Sequence, residues 1–419
     1  MSDRIADPAT SNRLEAGTAS YRRANLAIFF GGFASFAMLY GTQPVLPLLT
    51  ESFAIAPTAA SLSVSAGTAS LGLALIPASV LADRFGRERV MKLSLALAAA
   101  LACLSAFVTD FQQLLVVRAL LGAAIAGLPA AAMAYLGDEV APNAQGRAMG
   151  LYIAGNAFGG MCGRFLAALV TEWASWRHGL GALGLLGSAA ALLFWRTLPA
   201  ARHFTPRTAQ LSALLADARR IVGDPGLRSL FAVAALLMGS FVALYNFLGF
   251  RLVAPPYGLT STAIGAIFLL YAVGSLSSAW SGRLSDRIGR RNVLWIMIAT
   301  MAAGLAVTLA GALPLIVAGV AIFTFGFFGA HTAASGWVSR RAVERRALAA
   351  ALYLCSYYLG GSLLGSLAGF AWDAGGWPGV VAALGVCIAA VFALALYLRQ
   401  VPSRSQPGLT LGLAAAREG

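Results

Sequence analysis

Charged residues are scarce in this chain. Asp, Glu, Lys and Arg make up 11% of its 419 residues, whereas hydrophobic residues make up 59%. A water-soluble protein of this length needs roughly 25% charged residues to cover its surface. Apolar runs of about 20 residues, the length that a membrane-spanning helix requires, recur along nearly the whole chain. We therefore expect most of the surface to face lipid, which excludes a soluble fold.

Cysteine and histidine are also few. The four cysteines lie inside apolar runs rather than in an outer loop where they could pair, so packing is predicted for them and no disulfide. The three histidines are scattered, and no cluster has the spacing of a metal site. The Gly-Lys-Ser/Thr loop that an ATP-driven pump needs is missing. The sequence therefore predicts no enzyme, no metal site and no cofactor.

The apolar runs predict an all-α membrane protein with twelve transmembrane helices. Residues 1–24 lack the apolar core of a signal peptide and are predicted to be a cytoplasmic tail. The longest polar gap separates two six-helix bundles, at 25–198 and 229–398, and it forms a central loop at 199–228. Within that loop, Leu211 to Val222 could form an amphipathic surface helix, and a second cytoplasmic tail follows at 399–419. The predicted spans are 25–49, 59–82, 90–109, 112–136, 147–170, 178–198, 229–253, 260–282, 291–311, 313–338, 347–371 and 378–398.

Positive charge lies at alternate ends of the apolar runs. The net charge is +14, but all except four of the 30 basic residues would lie on one side of the membrane. This is the cytoplasmic bias of a multi-pass membrane protein rather than a stripe for nucleic acid. Both termini are therefore predicted to be cytoplasmic. The four exceptions are Arg118, Arg164, Arg177 and Arg251.

The two halves repeat in sequence. LADRFGRERV at 81–90 matches LSDRIGRRNV at 284–293, an offset of 203 residues. A second set of matches, such as Gly159-Gly160 with Gly360-Gly361, has an offset of 201. The agreement predicts an internal duplication with two pseudo-symmetric bundles. Parallel six-helix repeats of this kind place a substrate site between the halves, near the middle of the bilayer.

The repeated segment resembles the signature of the major facilitator superfamily, Gly-x-Leu-x-Asp-Arg-x-Gly-Arg-Arg. The second half matches it throughout from Gly282 to Arg291, whereas the first half departs at Ser79 and Glu88. The resemblance covers about residues 25–400. It is most marked to the proton-coupled drug and sugar efflux branch, in particular the YnfM-like inner-membrane transporters. It implies the major facilitator fold and export driven by the proton gradient.

The family resemblance also implies that these Asp-Arg-x-Gly-Arg hairpins help to close the cytoplasmic side. A carboxylate at Asp83 could accept from backbone N–H groups at a helix N-terminus, and the arginines that follow could pair with Asp138 and Glu139. We place the gate at Asp83 because its own half supplies those acids. In the alternative interpretation, Arg84 and Arg87 only anchor the topology. The gating candidates are Asp83, Arg84, Gly86, Arg87, Asp138, Glu139, Asp286, Arg287, Gly289 and Arg290.

Two arginines within spans are unusual, because a charge at this depth needs a cavity or a partner. Arg118, with Gly122, resembles a family motif on span 4 that influences proton transfer, although its side chain could instead snorkel to the interface. Arg164 ends a glycine-rich segment of span 5 that resembles an antiporter motif, with Gly160 in place of its proline. Helix packing alone also explains the glycines. The predicted packing positions are Gly155, Gly159, Gly163, Gly361 and Gly365.

No acidic residue is predicted to lie buried within a span. If protons are carried, the candidates are Asp138, Asp83 and His331, of which the histidine titrates near neutral pH. A structural role for His331 is the alternative. Other polar side chains fall on spans that are expected to line the family's cavity, as does Tyr271. The candidate substrate and proton residues are Tyr40, Gln43, Arg118, Asn156, Arg164, Tyr245, Asn246, His331, Tyr357 and Tyr358.

Three functions are compatible with these features. The leading hypothesis is a monomeric, proton-coupled exporter of small organic molecules, such as drugs, sugars or metabolites, in the bacterial inner membrane. The second is an organic-anion exchanger or facilitator that uses Arg118 and Arg164 and carries no protons. The third is a membrane scaffold or sensor, which the absence of a soluble signalling domain disfavours. The expected partners are a small-molecule substrate, protons and lipid, and not nucleic acid.

Overall fold

A computed structural model describes residues 13–206, 211–342 and 345–401. The described chain forms fifteen α-helices, and no β-strand occurs within those ranges. The outer parts of both predicted tails and residues 207–210 of the central loop lie outside the described residues. The helices are α1 Ala19–Leu39, α2 Leu46–Phe53, α3 Pro57–Phe85, α4 Arg87–Leu104, α5 Phe111–Ile125, α6 Gly127–Glu139, α7 Pro142–Trp173, α8 Trp176–Thr197, α9 Leu211–Gly223, α10 Pro225–Val253, α11 Ser261–Ile267, α12 Tyr271–Ile288, α13 Arg290–Val307, α14 Leu313–Arg341 and α15 Arg346–Gln400.

Short polar residues cap the starts of several helices. The side chain of Asp110 accepts from the backbone N–H of Gln113 at 2.8 Å, and Asp224 accepts from that of Leu227 at the same distance. These bonds satisfy N–H groups that have no partner within the helix. Pro225 follows Asp224 as the first residue of α10, where proline lacks only a donor that would have been unpaired.

Nine stretches of the described chain are long and apolar enough to cross a membrane. α4 and α13 are not among them; α4 carries four charges, Arg87, Glu88, Arg89 and Lys92. α15 counts once, although its backbone leaves the helical conformation at Gly375 and Gly376, between the last two predicted spans. The chain is therefore a multi-pass helical protein, and the count of twelve spans stays a prediction. The nine are Ala19–Phe53, Pro57–Phe85, Phe111–Glu139, Pro142–Trp173, Trp176–Thr197, Pro225–Val253, Ser261–Ile288, Leu313–Arg341 and Arg346–Gln400.

Close helix packing repeats in the two halves. A Cβ atom at Gly159 of α7 would overlap the carbonyl oxygen of Phe33 in α1. At the equivalent place, a Cβ atom at Gly360 of α15 would overlap the carbonyl oxygen of Ala235 in α10. Only glycine lets these backbones approach so closely. The other predicted packing glycines lie on the same two helix pairs, with Gly155 and Gly163 against α1 and Gly361 and Gly365 against α10.

α9 covers the segment that was predicted to be amphipathic, and the structure confirms the helix. It packs on α10 and α15 of the C-terminal half. Asp217 of α9 forms an ion pair with Arg345 at 3.0 Å, which ties the central segment to the start of α15.

The two halves meet mainly at one end of the molecule. We call the end with the Gly86 and Gly289 turns the hairpin face, and the opposite end the distal face. At the distal face the hydroxyl of Thr58 donates to Asp373 at 2.8 Å, and the backbone N–H of Thr262 donates to Glu172 at 2.7 Å. Further bonds join α3 to α15 as far as Thr68, whereas the described residues 69–85 of α3 make no hydrogen bond to the other half. The structure is therefore held shut at the distal face.

Candidate functional site

The first hairpin is part of an ion cluster within the N-terminal half. Gly86 adopts a φ of +102°, which glycine alone accepts without strain, and this turns the chain from α3 into α4. Arg87 forms an ion pair with Asp138 of α6, and its Nη2 lies 3.5 Å from Asp83 Oδ1. Arg84, by contrast, is exposed and stacks on the ring of its neighbour Phe85. The cluster thus joins α3, α4 and α6 through Arg87.

The second hairpin is more exposed. Gly289 makes the equivalent turn with a φ of +84°. Asp286 lies 3.7 Å from Arg340, and both side chains are more than two thirds exposed, so this pair contributes little stability. Arg287 is exposed as well, and Arg290 is half-buried. The two hairpins are therefore unequal in their surroundings as well as in sequence.

Glu139 does not pair with the hairpin arginines, and that expectation was wrong. It is the last residue of α6 and only 3% exposed. Its carboxylate accepts from the backbone N–H groups of Arg202 and His203, at 2.9 and 2.8 Å, and lies 3.1 Å from His203 Nδ1. The side chain turns toward the central loop because that loop supplies unpaired donors. Nothing in the local sequence indicates His203 as a partner for this acid.

A second buried acid was not anticipated as an ion-pair partner. Asp224 caps α10 and also accepts from Arg341 of α14, at 2.6 Å from Nε and 3.1 Å from Nη2. Both side chains are less than a tenth exposed. The Asp-Pro pair at 224–225 signals a helix start, but nothing local in sequence indicates the arginine, which is 117 residues away.

Arg118 is enclosed in the N-terminal half, and it neither snorkels to the distal face nor points between the halves. It is 1% exposed, and each of its three guanidinium nitrogens donates to a backbone carbonyl. The acceptors are Ser63 at 3.2 Å, Met38 at 2.8 Å and Leu39. Carbonyls at the end of a helix lack partners within it, and α1 ends at Leu39. In this conformation Arg118 caps α1, and all three of its nitrogens bond within its own half.

Arg164 begins a chain of hydrogen bonds that crosses between the halves. Its Nε donates to Gln43 Oε1 at 2.6 Å, and its Nη1 donates to the carbonyl of Gly160. Gln43 Nε2 donates in turn to Asn246 Oδ1 at 2.8 Å, and Asn246 Nδ2 donates to the carbonyl of Gly365 at 3.3 Å. Gln43 and Asn246 are 203 residues apart, the offset of the repeated hairpins, so two equivalent residues bond to each other.

Aromatic rings surround the Arg164 guanidinium. Its Cζ lies 4.1 Å from the ring centre of Tyr40, 4.9 Å from Tyr271 and 5.2 Å from Phe268. Cations over aromatic faces are stabilised by the ring quadrupole. The side chain is 3% exposed, and among the described residues no Asp or Glu forms an ion pair with it. We call Arg164, Tyr40, Phe268 and Tyr271 the arginine cage.

A second polar cluster lies in the C-terminal half. The Nδ1 atom of His331 is 3.0 Å from the hydroxyl of Tyr353, and its ring centre is 4.8 Å from that of Tyr357. The ring centre of Tyr357 lies 6.4 Å from that of Phe327, which stacks on Phe241 at 3.9 Å, and Phe241 lies 5.2 Å from Tyr271. The histidine cluster is therefore continuous with the arginine cage.

The remaining candidate residues make contacts of different kinds. Tyr245 bonds to Thr324 at 2.8 Å and is buried inside the C-terminal half. Tyr358 packs on α3 at Gly72, across the boundary between the halves. Asn156 Oδ1 is buried and has no hydrogen-bond partner among the described residues, and the same is true of the hydroxyl of its neighbour Tyr152.

Comparison with known proteins agrees with this architecture. The sequence profile described as "Major Facilitator Superfamily" matches residues 28–276 and 247–414. The chain is 40% identical to the MFS-type transporter YybF of Bacillus subtilis over 400 residues, 94% of this chain and 99% of that one. It is also 40% identical to the inner membrane transport protein YnfM of Escherichia coli over 383 residues, 91% of each chain. The resemblance to YnfM-like transporters that the sequence indicated is thereby confirmed.

The fold resembles that of a solved transporter structure. A bacterial homologue of the human lysosomal transporter Spinster, in an inward-facing and unoccupied conformation, superposes with a TM-score of 0.78 at 17% identity. The match covers 93% of this chain and 100% of that one. The relatives are transporters and not enzymes. This chain therefore belongs to the Major Facilitator Superfamily of membrane transporters.

Proposed function

We propose that this protein exports small organic molecules across the bacterial inner membrane by alternating access, with protons moving the other way. Residues 25–198 and 229–398 are the two moving bodies, the protein acts as a monomer, and both termini are cytoplasmic. The name of the E. coli relative supports the location. The placement of basic residues supports the orientation. The contacts at the distal face then hold the outer side shut, with the centre reached from the cytoplasm.

The observation that carries this proposal is the bonded chain from Arg164 to Gly365. It links four helical segments of the two halves at their junction, beside the arginine cage. A site at the junction changes shape when the halves rock, and alternating access requires this of a substrate site. Aromatic rings and amide groups bind many organic molecules, because the rings offer apolar area and the amides offer both donors and acceptors.

His331 is the proton carrier in this proposal. Imidazole changes its charge near neutral pH, unlike every other side chain in the two central clusters. Asp83 and Asp138, the acidic candidates, are both held by Arg87 near the hairpin face. His331 instead lies beside Tyr357, and the stacked rings of Phe327 and Phe241 connect it to the arginine cage. Protonation there can alter the electrostatics of the substrate site directly.

Reconstitution tests substrate and coupling together. Purified protein in vesicles would be offered a panel of anionic, neutral and cationic compounds while lumenal pH is recorded. We expect substrate flux with an opposite proton flux, and we expect His331→Asn to keep substrate binding but lose the pH change. Thr332→Ala, one position along the same helix, serves as the control. Coupled proton flux that is unchanged in His331→Asn would contradict the role of the histidine, and no flux of any compound would contradict transport.

Arg164 favours a second function, an organic-anion exchanger or facilitator. A buried cation without a carboxylate partner among the described residues leaves room for a carboxylate or phosphate from a substrate. Arg118, which sequence reasoning grouped with Arg164, has no part in this version because it is 1% exposed and bonds only within its own half. In this case anions would exchange without a change in lumenal pH, and a cationic dye would not be exported.

Gating through the first hairpin gives a separate prediction. Asp83→Asn should insert and fold normally but lower the turnover rate about tenfold, because the carboxylate beside Arg87 is lost where the halves must close. Asp286→Asn is the matched control, since the exposed ion pair of Asp286 with Arg340 contributes little free energy. Initial rates of transport at saturating substrate measure both. Equal rates in wild type and Asp83→Asn would show that the hairpin only anchors topology.

A further inference from the structure

An arginine-rich cavity of about 670 Å³ lies at the hairpin face of the C-terminal half. It is formed by the second hairpin, the end of α14 and the end of α15. Ser285, Asn292 and Trp337 contribute polar and aromatic surface. Its arginines are Arg290, Arg291, Arg340, Arg341 and Arg399, and we call it the arginine pocket.

Positive charge in the arginine pocket exceeds the negative charge that faces it. Two acids of the described residues pair with its arginines, namely Asp224 with Arg341 and Asp286 with Arg340. The second of these pairs is long and exposed. The side chain of Arg290 makes no hydrogen bond to a described residue, and it lines the same cavity as Arg340. Guanidinium groups packed this closely are stabilised by a bound anion.

Backbone N–H groups add to the positive potential of the arginine pocket. α13 begins inside the pocket, and its first turn contains no acidic residue. The N–H groups of a first helical turn have no partner in the helix, and the helix dipole places positive potential there. The equivalent helix in the other half, α4, carries Glu88 in its first turn and so neutralises its own dipole.

The internal repeat shows that the arginine pocket has basic residues where the N-terminal half has acidic ones. At the 203-residue offset Glu88 corresponds to Arg291, and Glu139 and Arg341 are the last residues of the equivalent helices α6 and α14. In the N-terminal half, Glu88 accepts from the backbone N–H of Ala201 at 3.0 Å, so the chain's own loop supplies the donors. In the C-terminal half, Arg291 donates to the carbonyls of Arg399 and Val401 at 3.0 and 2.8 Å. Glu88 and Glu139 of one half bind loop donors, whereas Arg291 of the other half donates to carbonyls and adds positive charge to the wall of the cavity.

We propose that the arginine pocket binds a phosphate group, which could belong to an anionic phospholipid headgroup or to a soluble phosphate compound. Arg290 and Arg340 would hold the phosphate oxygens, with the first turn of α13 behind them. Trp337 stacks on Arg291, with 5.6 Å between Cζ and the ring centre, and keeps that side chain at the wall. The pocket lies at the hairpin face, at the depth where headgroups are found if this face borders the membrane surface. The proposal does not depend on the transported substrate or on proton coupling.

The test compares two double variants of the full-length protein. Arg340→Gln with Arg399→Gln removes two charges from the arginine pocket. Arg89→Gln with Arg147→Gln removes two exposed charges from the hairpin-face side of the other half and is the control. Thermal unfolding would be followed with and without inorganic phosphate, and native mass spectrometry would compare retained phosphatidylglycerol with phosphatidylcholine. Each basic contact is worth about 1 kcal/mol, so the pocket variant should bind about 30-fold more weakly.

Each result decides the proposal. Stabilisation by inorganic phosphate that the pocket variant alone loses identifies a soluble phosphate site. Selective retention of phosphatidylglycerol that the pocket variant alone loses identifies a headgroup site. The proposal is overturned if the two variants behave alike, or if neither phosphate nor phosphatidylglycerol binds more tightly than phosphatidylcholine. Unfolding without ligand shows that both variants are folded before they are compared.

Discussion

Replacing Arg164 with glutamine is expected to reduce transport by a factor of about 100 or more. The change removes the guanidinium from the arginine cage and its hydrogen bond to Gln43. A hydrogen bond to a charged donor contributes about 1.5–3 kcal/mol, and a desolvated cation–π contact contributes about 2 kcal/mol. These contributions together exceed the roughly 2.7 kcal/mol of activation free energy that lowers a rate 100-fold. Uptake of the best substrate from the compound panel measures the effect.

Arg164→Lys separates charge from shape. Lysine keeps the positive charge but lacks the planar fork that bonds to Gln43 and Gly160 while it stacks on rings. If an anionic substrate pairs with the cation, Arg164→Lys should retain more transport than Arg164→Gln. If Arg164 only organises the hydrogen-bonded chain, the two variants should be equally impaired. Wild-type transport by a folded Arg164→Gln protein would remove this residue from the mechanism.

Replacing Arg118 with methionine is expected to impair the fold rather than transport alone. Methionine fills similar apolar space but removes the guanidinium that donates to the carbonyls of Ser63, Met38 and Leu39. A hydrogen bond from a charged donor contributes about 1.5–3 kcal/mol, so the loss of three such bonds should approach or exceed about 3 kcal/mol. Lower yield of monodisperse protein and a lower unfolding midpoint in detergent would show it.

Arg177→Met is the matched control for that experiment. Arg177 is also an arginine of the N-terminal half, but it donates to one carbonyl, that of Val108 at 3.2 Å, and stacks on Trp176. Its loss should lower the unfolding midpoint much less than Arg118→Met. Equal midpoints for the two variants would mean that the end of α1 does not depend on Arg118.

Features that depend on contiguous residues were predictable from the sequence, and contacts between distant helices were not. Hydropathy located the helices, and the repeated hairpin revealed the duplication, because both are properties of contiguous residues. Gln43, Arg164 and Asn246 were each named as polar residues within spans. Their shared chain was not foreseen, since it depends on how two six-helix bodies approach each other.

The residues that were misjudged show the same limit. Glu139 follows Asp138 directly, yet the two side chains point to different partners, Asp138 to Arg87 and Glu139 to His203. Adjacent residues at the end of a helix point in different directions, and sequence does not say which loop will come to lie there. Arg118 was hard to assign for a related reason, because its partners are backbone carbonyls, and no residue type signals where those will be.

The bond between Gln43 and Asn246 has a consequence for the ancestry of the two halves. A residue pair that is equivalent under the repeat and in direct contact lies on the axis that relates one half to the other. Two identical copies would place the same side chain on both sides, and an arginine at 164 would then face an arginine at its counterpart, Gly365. Like charges so near an axis repel each other, whereas this chain has glycine at position 365. Arg164 is thus a buried cation that two identical halves could not place at this junction.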